Sequence, residues 1–71
     1  MNKNIVSPLP GTIIEILVNP GDCVGSGQAV AVLEAMKMEN EIQAEYSGTV
    51  TSVNVSEGDR VMAGIEIISI E

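Results

Sequence analysis

Residues 11–34, "GTIIEILVNPGDCVGSGQAVAVLE", fall over residues 48–71, "GTVTSVNVSEGDRVMAGIEIISIE", without a gap when the chain is shifted against itself by 37 positions. Identities lie at Gly11/Gly48, Thr12/Thr49, Val18/Val55, Gly21/Gly58, Asp22/Asp59, Val24/Val61, Gly27/Gly64 and Glu34/Glu71, and Ile5 falls over Ile42 just upstream. Self-similarity of this kind marks a structural unit used twice. Repeated glycines carry much of it, and glycine marks turns where the chain needs φ values closed to other residues.

Between the turn residues the segments are short and rich in Val, Ile and Thr, as strands are. None shows a sustained 3.6-residue apolar period, so no helix is expected. The expected strands are 4–7, 12–18, 22–24, 29–35, 38–44, 49–55, 59–61 and 65–70. Positions apolar in both halves give the expected core: Ile5/Ile42, Ile13/Val50, Ile16/Val53, Val18/Val55, Val24/Val61, Val30/Ile67, Ala31/Ile68 and Leu33/Ile70. The step from 13 to 16 breaks strict alternation, which predicts a bulge or a change of sheet there. Neither half could bury a core alone. The expected fold class is all-β, a flattened eight-stranded barrel or sandwich of two quasi-symmetric four-stranded halves.

A chain of 71 residues is one small domain, here taken as residues 1–71. The single cysteine, Cys23, permits no internal disulfide, so packing must supply the stability, and 45% of the residues are apolar. Lack of histidine and of a Cys-x-x-Cys pair leaves no zinc-ligand spacing and removes the usual general base. A net charge of −7 argues against nucleic acid and anionic membrane surfaces as partners. No apolar run approaches the ~20 residues of a membrane span. A lone thiol fits a reducing compartment, and a cytoplasmic location is expected. Cys23 reads as a surface residue, and Asp22 and Asp59 as anchors of their turns. Gly21, Gly25 and Gly27 make no phosphate loop, because no helix follows them.

The link between the halves is the part that does not repeat. It contains "EAMKMENEI", residues 34–42, with Lys37 between Met36 and Met38. Strands 29–35 and 38–44 are close enough to form a hairpin turning at Met36 and Lys37. Two-residue hairpin turns favour Asn-Gly or Asp-Gly, so Met-Lys is a poor choice on local physics. A local rule broken without structural gain marks a candidate functional site. The acids Glu34, Glu39 and Glu41 read as one solvated, alternating row. Under two-fold symmetry the equivalents of residue 37 are positions 0 and 74, so Lys37 is expected at one end of the domain and the termini at the other. An exposed amine among carboxylates lacks the burial or neighbouring cation that activates a catalytic lysine. It suits an attachment point better.

The stretch "EAMKMEN" resembles the attachment motif of biotinyl domains, the carriers of biotin-dependent carboxylases, decarboxylases and transcarboxylases. "SPLPGTI", "GDCVGSGQ" and "SGTVTSVNVSEGDRV" extend the resemblance over nearly the whole chain. It implies a protein that is not itself an enzyme but a carrier, with biotin joined by an amide to Lys37 by a biotin protein ligase. Glu34, Ala35, Met36 and Met38 would be the recognition frame. Biotin would take up CO₂ at one active site and carry it as carboxybiotin to a second. The implied partners are the ligase, a biotin carboxylase or decarboxylase subunit, and a carboxyltransferase subunit, with the isolated domain a monomer. The halves align without insertion, so the protruding "thumb" of the bacterial acetyl-CoA carboxylase carrier is not expected. A lipoyl domain shares the implied fold, but there an Asp usually stands where Met36 is. A cofactor-free barrel adaptor would leave the Glu-Ala-Met-Lys-Met stretch unexplained.

Overall fold

The computed structural model describes residues 3–71. Eight strands form: β1 (Lys3–Val6), β2 (Gly11–Ile16), β3 (Cys23–Val24), β4 (Ala29–Ala35), β5 (Met38–Gln43), β6 (Gly48–Val53), β7 (Arg60–Val61) and β8 (Glu66–Ile70). Each coincides with an expected strand to within two residues at either end. The largest overrun is at 17–18 and 54–55, where the chain leaves the sheet toward the "NPGD" and "SEGD" turns.

The strands lie in two four-stranded sheets, ordered β1-β8-β6-β3 and β5-β4-β2-β7, with every pairing antiparallel. Moving each strand four places along the chain turns the first order into the second, as a two-fold axis between the sheets requires. The sequence halves are therefore not the sheets. Each sheet takes its two central strands from one half and its two edge strands from the other. Neither half can close its core without the other, which suits a chain near the lower size limit for an unaided core.

The repeat extends to individual backbone bonds. Gly21 N donates to Val50 O at 2.8 Å, and Gly58 N to Ile13 O at 2.6 Å. The Asp22 and Asp59 carboxylates accept from Asn19 N and Ser56 N, both at 2.8 Å, so each aspartate ties its own turn. Gly21 and Gly58 have φ of 96° and 94°, a left-handed conformation that glycine adopts at little cost. Gly11 and Gly48, expected at turns, open strands instead. A Cβ on Gly11 would collide with Glu34 O, and one on Gly48 would come within 2.5 Å of Ile70 Cγ2. These two glycines allow close approach of neighbouring strands.

The expected bulge is present in both halves. Ile13 pairs with Leu33 and Glu15 with Val32, leaving Ile14 unpaired, and Thr51 is left out between Val50 and Ser52 in the same way. This extra residue brings Ile13 and Ile16 to the same side. Of the expected core, Ile16, Val53 and Val55 are only partly buried and pack against the rest, which is buried. The core also holds Ala35 and Ala44, and Ser7 is buried beside it. Ser7 and Ala44 occupy equivalent places, and the serine hydroxyl is satisfied by donating to Leu9 O at 2.6 Å.

Candidate functional site: the Met36–Lys37 hairpin

β4 and β5 pair from Ala29 with Gln43 to Ala35 with Met38, which leaves Met36 and Lys37 as a two-residue turn. Their φ values are 54° and 64°, the only positive values at non-glycine residues among the described residues. Positive φ at both central positions is what a type I′ turn requires, and that turn matches the right-handed twist of the strands it joins. Twist thus imposes a left-handed backbone on two residues with long side chains. Each costs on the order of 1–2 kcal/mol. Packing does not repay it, because Met36 is 86% and Met38 65% exposed and Lys37 is exposed. Strain held on a solvent-facing tip is the kind that clusters at working sites.

The base of the hairpin is held firmly. Ala35 is buried, and a Cβ on Gly11 would lie 3.2 Å from Ala35 Cβ, so β2 passes as close to the hairpin base as a backbone can. Asn40 Nδ2 donates to Met38 O at 3.2 Å. Of the expected frame, Glu34, Met36 and Met38 are exposed around Lys37, whereas Ala35 faces inward and seats the hairpin. Gly11 and Asn40 were not singled out as site residues. The repeated Gly11/Gly48 pair is the signal for the first, although repetition alone points to a turn.

The acids do not form one row on one strand. Glu34 is on β4, Glu39 and Glu41 are on β5, and Glu34 is directly opposite Glu39. They still share the outer face of their sheet, with Glu15 on β2, whose cross-strand partner Val32 also pairs with Glu41. Like charges directly opposed across strands are destabilising.

Lys37 is at one end of a molecule measuring 33 × 19 × 18 Å. From Gly11, beside the hairpin base, the chain runs along β2 to Cys23 and Val24, which pair with Thr49 and Gly48. Thr49 exchanges two backbone bonds of 2.9 Å with Glu71, and Lys3 pairs with Ile70. The two ends of the described chain therefore meet opposite the lysine. No cavity is present among the described residues. An exposed primary amine on a raised turn is suited to an amide linkage to a carboxylic acid such as biotin.

Comparison with known proteins agrees with this geometry. Residues 3–70 match the model of the family described as "Biotin-requiring enzyme". The chain is 53% identical over 64 residues to the biotin carboxyl carrier protein of Streptococcus mutans, covering 90% of this chain and 49% of that one. It is 45% identical over 65 residues to the mitochondrial propionyl-CoA carboxylase alpha chain of Homo sapiens, covering 92% of this chain and 9% of that one. Among solved structures, the urea carboxylase of Kluyveromyces lactis matches with a TM-score of 0.93 at 31% identity, over 100% of this chain and 6% of that one. The chain thus spans about half the length of the curated carrier protein and a small part of the two carboxylases. By sequence match and by fold, it belongs to the biotin-requiring enzyme family.

Proposed function

We propose that this chain is a biotin carboxyl carrier domain and that Lys37 is its biotin-bearing residue. The observation that carries the reading is the exposed lysine at the centre of a strained two-residue turn, on the one part of the fold that the internal repeat does not duplicate. The relatives favour biotin over a lipoyl group as the cargo.

In this reading Lys37 Nζ, as the free amine, attacks the acyl carbon of an activated biotin. The C–N bond forms, the bond to the activating group breaks, and a proton leaves the nitrogen. The ureido group of bound biotin then supplies the chemistry of accepting and releasing a carboxyl group. The chain supplies position. The paired strands β4 and β5 hold the lysine at the end away from the termini, so a linker at either terminus leaves the arm unobstructed. Tethering raises the effective concentration of the cargo at each active site that the arm can reach. The domain performs no bond chemistry on the carried group. Its partners are a biotin protein ligase, a carboxylating or decarboxylating subunit and a carboxyltransferase, in a reducing compartment.

Incubation with a purified biotin protein ligase, ATP and biotin is expected to make the chain bind avidin, with fragmentation mass spectrometry mapping the label to Lys37. A label on Lys3, or none, contradicts the assignment.

A further inference from the structure

The two arms of the Lys37 hairpin are not held alike. The β4 arm is a central strand between β5 and β2, and its last residue, Ala35, is buried beside Gly11. The β5 arm is an edge strand with β4 as its only neighbour in the sheet. Its first residue, Met38, is 65% exposed, so packing does little to fix it. Yet Met38 follows directly on the two left-handed residues, Met36 and Lys37, and closes the turn by pairing with Ala35. A strained turn relaxes most easily by giving up its last strand pair, and an exposed edge is where such local opening begins.

One side chain restrains that arm. Asn40 Nδ2 donates to Met38 O at 3.2 Å. A carbonyl can only accept, so the carboxamide nitrogen is the group that faces it. The position is an unexpected one for an amide. Asn40 pairs with Leu33, which is fully buried, and Ile42, two residues further along β5, is buried as well. Cross-strand partners share a face, as do alternate residues of a strand. Asn40 therefore stands on the core-facing side of β5, where it is half-buried. An apolar side chain there would add contact with Leu33 and Ile42, and the amide forgoes it. The repeat gives a matched position for comparison. The equivalent of Asn40 is Lys3, which pairs with Ile70 as Asn40 pairs with Leu33. Lys3 reaches across to the next segment, its Nζ 4.7 Å from the ring centre of Tyr46. Asn40 turns back along its own strand to the tip. The backbone position is the same, but only at the lysine end does the side chain brace a turn. A polar residue kept where an apolar one would stabilise marks a functional constraint.

We propose that Asn40 is a positioning residue for Lys37. Its carboxamide clamps the Met38 peptide and so keeps Met36 and Lys37 in the left-handed turn that presents the amine at the end of the domain. The inference rests on the carrier reading of Lys37 and adds to it the group that holds the attachment residue in place. Asn40 touches neither the cargo nor a reacting atom; it acts through the backbone of Met38. The requirement is geometric. Misplacing a reacting group by about 1 Å can cost on the order of a hundredfold in rate. With the clamp, the nitrogen of Lys37 starts from one backbone conformation. Without it, the edge-strand arm loosens and the amine is spread over many positions.

The test is Asn40→Leu, which keeps the length of the side chain, removes the donor and adds apolar area beside Leu33 and Ile42. Three quantities are measured on the whole chain: backbone amide order parameters from NMR relaxation, melting temperature, and steady-state biotinylation by a purified biotin protein ligase. The order parameters at Met36, Lys37 and Met38 are expected to fall from about 0.85 to below about 0.6, the range of flexible backbone. The kcat for biotinylation is expected to fall about tenfold with KM for the chain unchanged, as when an interaction needed only in the transition state is lost. The melting temperature holds or rises, because the added leucine is placed against the core. Asn40→Asp has the same shape but no donor at neutral pH, and is expected to loosen the turn and slow labelling likewise. Wild-type order parameters in both variants overturn the inference, as does an unchanged kcat on a loosened tip. So does a melting temperature of Asn40→Leu that falls along with kcat, which would make Asn40 a structural residue only. Failure of wild type to be labelled at Lys37 refutes the carrier reading, while the order parameters still decide whether the clamp exists.

Discussion

The backbone at Met36 and Lys37 leads to a quantitative expectation. Replacing the pair by Met36→Asn and Lys37→Gly puts in the turn that twist and pairing call for. Relief of two left-handed non-glycine residues is worth about 1–2 kcal/mol each. The greater freedom of glycine in the unfolded chain returns about 0.4–1 kcal/mol of that. The exposed methionine and lysine lose almost no packing, since Met36 is 86% exposed. Asparagine, unlike glycine, keeps part of the left-handed cost, so the net gain is about 1–2 kcal/mol. At about 4–8 °C per kcal/mol for a domain of this size, the melting temperature rises by about 5–15 °C. Met36→Asn alone keeps the lysine and is expected to give about half of that, because asparagine tolerates left-handed φ. Calorimetric melts of unmodified wild type, single and double variants measure it. An unchanged or lowered melting temperature in both variants refutes the claim that the turn is strained.

Three further expectations concern the scaffold. Gly11→Ala drives a Cβ into Glu34 O and Ala35 at the hairpin base; it should destabilise by about 1–3 kcal/mol as overpacking does, read as a lower urea midpoint. Asp22→Ala and Asp59→Ala each remove one 2.8 Å bond to a turn amide. Each should cost about 1 kcal/mol, with nearly equal single effects that add in the double variant, since the sites share no partner. Glu39→Lys converts the opposed Glu34–Glu39 pair into an attractive one and should stabilise by about 0.2–1 kcal/mol, a gain that shrinks on adding salt.

Most of the fold was readable from one comparison of the chain with itself. The shared glycines at 21/58 and 27/64 and the shared aspartates locate the turns, and positions apolar in both halves identify most of the core. The same comparison explains what was missed. Ser7 and Ala44 are both buried, but a serine facing an alanine does not read as a shared apolar position. Ala35 has no equivalent to compare, because its partner position lies past residue 71. A repeat establishes that two segments are alike but not which strands pair, so the interleaving of halves within each sheet was not visible. Met-Lys is legible as a poor turn pair, whereas its positive φ values follow from the twist of the paired strands and are seen only in the fold.

The most direct test of the central claim is the intact mass of the chain co-expressed with a biotin protein ligase, alongside Lys37→Arg. The expected result is a gain of one biotinyl group in wild type and none in the variant, with equal melting temperatures. No gain in wild type, a lipoyl gain in its place, or a biotinyl gain that persists without Lys37 would contradict it.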